Sequence, residues 1–99
     1  MAILELSSFE MIEKVDVPGQ YQCVLDFDDN VQLSIVSGKG AYSRESAPYE
    51  IAVIKHGNLT HMPGITDVNF AVKGHLTEAD VSAIIKKMYL ITGKSPIQI

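Results

Sequence analysis

Tyr21-Gln-Cys-Val-Leu-Asp-Phe27, then Asp28-Asp29-Asn30, then Val31-Gln-Leu-Ser-Ile35 is the stretch from which the fold is read. Tyr21, Cys23, Leu25 and Phe27 alternate with polar or smaller neighbours, and Val31, Leu33 and Ile35 alternate again after the acidic break. That is the period of two expected of a hairpin with one buried face. Its register can be tested by parity. A two-residue turn sets Phe27 opposite Gln32 and Leu25 opposite Ser34, which throws the two apolar rows onto opposite faces. A three-residue loop pairs Phe27 with Val31 and Leu25 with Leu33, so the sequence predicts that loop, with Asn30 in the left-handed conformation.

Downstream, Tyr49, Ile51 and Val53 form another apolar row, and Gly57-Asn58 supplies a type II′ turn that sets Val53 opposite Met62. A further extended piece is expected at Val68, Phe70 and Val72. Thr77 followed by Glu78, Ala79 and Asp80 reads as an N-cap with an acidic first turn. Val81, Ile84, Ile85 and Met88 follow at helical spacing, Gly93 ends the helix and Pro96 lies beyond it, giving a helix over about 77–92. Lys86 and Lys87 are expected to favour the negative end of its dipole. Upstream, Ser7 with Glu10 can cap a short helix through Ile12 and Val15, while Ile3, Leu4 and Leu6 can start a strand running to Val17; the strand is the preferred reading.

The chain has 99 residues, 46% of them hydrophobic, with a mean hydropathy of +0.14. This composition is that of a single folded domain over 1–99, outside the disordered range. The expected fold is α+β: an antiparallel sheet of four or five strands with one C-terminal amphipathic helix packed on one face. Cys23 has no cysteine to pair with, so packing must hold the fold and a reducing compartment is expected. No apolar run approaches a membrane span and the first residues lack the pattern of a signal peptide, which makes the cytoplasm the expected location.

Charge is uneven. Residues 1–72 carry −6 and residues 73–99 carry +2 within the total of −4. Neither part has the block of like charges of a nucleic-acid arm or an acidic tail. Lys73, Lys86, Lys87 and Lys94 gather around the helix, a pattern usual for a solvated helix face. Thr92-Gly93-Lys94-Ser95 ends like a phosphate loop, but Met88 occupies the position of the first glycine and the helix precedes the loop instead of following it, so a glycine C-cap is the simpler reading. His56, His61, His75 and Asp67 lack the spacing of a metal site, and no metal or other cofactor is expected. Cys23 falls on the core row next to acids, a poor setting for an activated thiol. No nucleophile and base announce themselves by a local signature, so no catalytic residue is assigned and the chain reads as a non-enzyme. Ser37-Gly-Lys-Gly-Ala-Tyr42 is the best candidate binding loop, with Lys39 and Arg44 available to an anion and Tyr42 as a platform.

The order Val31-Gln-Leu-Ser-Ile-Val-Ser-Gly-Lys-Gly-Ala-Tyr42, Tyr49-Glu-Ile-Ala-Val53 and Gly74-His-Leu-Thr-Glu-Ala-Asp-Val81 resembles small uncharacterised proteins of tailed bacteriophages and enterobacterial prophages. The resemblance implies an accessory protein acting on a component of a bacterial host's cytoplasm, and it carries no catalytic or ligand residues. The expected function is a small non-enzymatic protein-interaction module. A homodimer is one expected state, with the alternating ends Ile3-Leu4-Glu5-Leu6 and Ile97-Gln98-Ile99 adding strands across a partner's edge. The alternative is a small-ligand or nucleic-acid binder using the Gly-rich loop at 37–44 and the lysine face of the helix.

Overall fold

The computed structural model describes residues 4–28, 30–38 and 47–99. Its elements in chain order are a 3-10 turn at Leu6–Ser8, β1 (Ile12–Glu13), β2 (Gln20–Asp28), β3 (Val31–Gly38), β4 (Tyr49–Lys55), β5 (Asn58–Leu59), β6 (Val72–Leu76), α1 (Glu78–Thr92) and β7 (Ile97–Gln98). The strands form one antiparallel sheet built on the meander β2-β3-β4. The free edge of β2 is closed by β1 at Gln22 and Tyr21 and by β7 at Leu25 and Asp26. The free edge of β4 is closed in the same way, by β5 at Ile54 and Lys55 and by β6 from Tyr49 to Ala52. The α+β architecture expected from the sequence is therefore present, with its C-terminal helix on one face and two further short strands at the margins.

The core lies between that face and the helix. Cys23, Leu25 and Phe27 of β2, Leu33 and Ile35 of β3, and Ile51 and Val53 of β4 are buried against Val81, Ile84, Ile85 and Met88. These are the alternate strand positions and the helical stripe that the sequence pattern picks out. Thr77 caps the helix: its hydroxyl accepts from the Asp80 N–H at 3.1 Å, and the Asp80 carboxylate accepts from the Thr77 N–H at 2.9 Å. The Thr77 backbone N–H first, and the Thr77 hydroxyl beside it, hold the Asp80 carboxyl below its usual value. Gly93 ends the helix in the left-handed conformation at φ 73°, and its N–H donates to the Tyr89 carbonyl. Lys86 and Lys87 stand in the helix interior, and the last turn holds no base, so they do not serve the dipole as expected.

At the first hairpin, Leu25 pairs with Leu33 and Cys23 with Ile35, as parity requires, and Asn30 is left-handed at φ 65°. The tip differs from expectation. Asp28, not Phe27, stands opposite Val31, and a bulge between Asp26 and Asp28 leaves Phe27 as the extra residue. A two-residue tip plus one bulged residue restores the face parity that the three-residue loop was invoked to provide.

The second hairpin also turns one residue earlier than expected. His56 (φ 54°) and Gly57 (φ 80°) are its left-handed pair, the signature of a type I′ turn, and Ile54 opposes Leu59. Thr60 instead of Met62 thus faces Val53, to whose carbonyl its N–H donates at 2.9 Å. The slip is two residues across the pair, so face assignment survives. The stretch around Val68 and Phe70 is a turned loop, because Asn69 is left-handed at φ 68° and Phe70 donates back to Asp67; the strand starts only at Val72.

Among the described residues no strand runs from Leu4 to Val17. Leu6 opens the 3-10 turn, is buried in the core, and donates its N–H to the buried Ser82 hydroxyl of α1 at 2.9 Å. A buried donor satisfied by the helix fixes this segment on the helical layer, and only Ile12–Glu13 pairs with the sheet.

Candidate functional site: the open face of the sheet

Side chains of paired residues share a face, so the register maps the side of the sheet away from the helix. Three rows cross it. The middle row is Val24–Ser34–Ala52–Val72. On one side lies Ile12–Gln22–Val36–Glu50, and on the other Ile97–Asp26–Gln32–Ile54–Leu59. Ile99 extends the middle row, its N–H donating to the Val24 carbonyl at 3.0 Å. Among the described residues no helix or second sheet covers these rows. Ile12, Leu59, Val72, Ile97 and Ile99 are between 36% and 67% exposed. Single apolar residues on a surface need no explanation, but here Ile12, Ile97 and Ile99 gather at the β2 margin and Leu59 and Val72 at the β4 margin, with the half-buried Val24, Ala52 and Ile54 between them, which makes this face the candidate interaction surface.

Five polar side chains lie in these rows, Gln22, Ser34, Asp26, Gln32 and Glu50, and two of them are bonded to each other. The Gln22 amide donates to the Ser34 hydroxyl at 2.9 Å. At the seam between β1 and β7, the Gln98 side-chain oxygen accepts from the Glu10 N–H at 3.0 Å, and its amide nitrogen donates to the Glu10 carbonyl. Gln98 thereby imitates a strand residue and joins two short edge strands into one.

Two hollows flank the face. One, of about 240 Å³, is lined by Ile12, Glu13, Lys14, Gln22, Val24 and Ile99. The other, of about 680 Å³, is lined by Asp67, Phe70, Val72, Lys73, Gly74 and His75. A bulge in β6 shapes the larger hollow: β6 runs three residues from Lys73 to Leu76 while β4 runs two from Ile51 to Tyr49, and His75 is left-handed at φ 56°. The loop carrying Phe70 is braced from within. His61 Nδ1 lies 2.8 Å from the Thr66 hydroxyl and 3.2 Å from the Phe70 carbonyl, tying the two ends of the loop together.

The expected binding residues Lys39, Tyr42 and Arg44 lie outside the described residues. Of the lysines around the helix, Lys86 pairs with Glu5 at 3.0 Å and Lys73 with Asp67 at 3.5 Å, while Lys87 donates to the Gly64 carbonyl at 3.3 Å. The Lys86 partnership holds the Glu5 carboxyl below its usual value. These internal bonds divert the charge that a phosphate-binding face would present. The histidines are spread apart: His56 sits in the hairpin turn, His61 braces the loop and His75 occupies the β6 bulge. Among the described residues no group of three or more His, Cys, Asp or Glu is placed to hold a metal ion. Burial pushes the Cys23 thiol up to about 11, far from a thiolate at neutral pH.

A scan of family models, a search of curated proteins and a search of solved structures each found nothing that matches this chain. The fold and the site thus define the class by themselves: a two-layer α+β protein with one covered and one open, largely apolar sheet face. Sequence reasoning passed over the open face because it followed one row per strand. The signal was present in β4, where Ile51-Ala52-Val53-Ile54 is apolar without alternation, the pattern of a strand destined for burial on both sides.

Proposed function

We propose that this protein is a non-enzymatic protein-interaction module whose binding surface is the open face of the sheet. The observation that carries the reading is the exposed array of Ile12, Leu59, Val72, Ile97 and Ile99 around a half-buried centre of Val24, Ala52 and Ile54. A folded domain that leaves so much apolar surface in water gains by covering it. The resemblance to small phage and prophage proteins supports an accessory role on a component of a bacterial host's cytoplasm. No described helix is long and apolar enough to cross a membrane. The test is affinity capture from a bacterial lysate with three baits: wild type, Ile54→Glu on the open face, and Leu90→Glu on the exposed outer side of α1. The reading expects the captured set to vanish with Ile54→Glu and persist with Leu90→Glu, both baits being folded by circular dichroism. Equal capture by both variants overturns it.

A further inference from the structure

We infer that the margin of β2 at Val24, Leu25 and Asp26, together with the main chain of Glu10, is a slot for an extended peptide segment of the form apolar-Gln-apolar. β7 is this chain's own copy of that segment, and it lifts out for one presented by another protein. The inference rests on the interaction-module reading and names the kind of segment a partner brings to the margin of the open face. Its template is the segment already seated there. Ile97 pairs with Asp26, Gln98 pairs with Leu25, and the Ile99 N–H donates to the Val24 carbonyl. The two isoleucines thereby join the rows of the open face, while Gln98 shares the opposite face with Leu25. Strand addition of this kind takes its affinity from main-chain bonds and its specificity from alternate side chains.

Selectivity comes from the central residue. The Gln98 carboxamide offers one acceptor and one donor, and Glu10 answers both, with its N–H at 3.0 Å and with its carbonyl. A carboxylate in that place accepts but cannot donate, and an apolar side chain does neither. Release of β7 costs little for three reasons. Its bonds to Glu10 are exposed, so water replaces them without stranding a buried group. Ile97 and Ile99 leave most of their surface in solvent, so little apolar burial is lost. Residues 93–96, which join α1 to β7, belong to no helix or strand, so no further element has to break. β1 keeps its own part of the β2 edge, at Tyr21 and Gln22, so the vacated slot is short and is filled by a short segment.

The probe is a peptide with the sequence of residues 95–99, Ser-Pro-Ile-Gln-Ile, titrated into the isotope-labelled full chain and followed by NMR. The Glu10, Val24 and Asp26 amides should shift. Gln98→Ala in the chain loosens β7 and should tighten peptide binding about tenfold, because apparent affinity scales with the fraction of molecules whose slot is open. A peptide carrying Gln98→Glu should bind more weakly to either chain, and Leu90→Ala in the chain should change nothing. Should Gln98→Ala fail to fold, the wild type carries the test: excess peptide should speed hydrogen exchange at the chain's own Ile99 amide and leave the β2–β3 ladder unchanged. Amides that stay unshifted at millimolar peptide overturn the inference, as do equal binding of the two peptides, a folded Gln98→Ala chain that binds no tighter, or an Ile99 amide indifferent to peptide. If the peptide does not bind while Ile54→Glu still abolishes capture of another protein, the slot fails and the interaction module stands; equal capture by Ile54→Glu and Leu90→Glu removes the module as well.

Discussion

Gly38 shows how tightly a single residue can be specified. It closes β3 with φ +88°, and a Cβ built there would overlap the carbonyl oxygen of Gly19 in the adjoining turn. Gly38→Ala should cost roughly 1–3 kcal/mol, seen as a lower urea midpoint without a change in slope. Cys23 is specified by burial. Its folded pKa of about 11 lies above the unfolded value of 9.0, so its share of stability is complete below pH 9 and lost as pH rises from there towards 11. Across that window the slope should be roughly 1.4 kcal/mol per pH unit, and Cys23→Ala should remove it. A stability profile with the same alkaline slope in the variant would place the titrating group elsewhere. In the core, Leu25 and Ile85 are both fully buried, and truncating either to alanine should cost about 2–5 kcal/mol in denaturant titrations.

At the scale of elements, the helix was the most legible part of the sequence because its cap, stripe and stop are all local. Thr77→Ala should cost about 1 kcal/mol by removing one half of the capping box. The hairpins were legible in face and less so in register. Face depends on the apolar rows, which long-range burial enforces, whereas the tip depends on which residue tolerates a positive φ. His56 does so at φ 54° although Asn is better suited, so His56→Asn should raise the melting temperature by the equivalent of about 0.5–1 kcal/mol. The short edge strands were illegible for a physical reason: two residues carry no periodicity. Val68 and Phe70 misled because alternation without a partner strand is not a strand. The candidate site was hidden behind the preferred row of each strand, and only the unbroken apolar run Ile51–Ile54 betrayed a second face.

At the scale of the molecule, the sheet has a helix-covered face that holds the fold together and an open face, to which the proposed function assigns the partner. Removing residues 95–99 would take away β7 and the Gln98 bridge, uncovering the edge of β2 at Leu25 and Asp26. The truncated chain should melt lower and aggregate sooner on light scattering, because a bare strand edge templates further strands. Unchanged melting after truncation would mean that β7 contributes nothing in solution.

The Gln98 bridge has a kinetic side as well. It joins positions 88 residues apart in the chain, the longest loop any of these bonds closes, and loop closure is an entropic cost met only once the rest is in place. The bridge should therefore form last and release first, a latch on the flank of β2. In native-state hydrogen exchange the Ile99 amide, bonded to Val24 beside that latch, should exchange faster than the amides of the β2–β3 ladder. How often this latch lifts would then set how briefly the protein resembles its own aggregation-prone precursor.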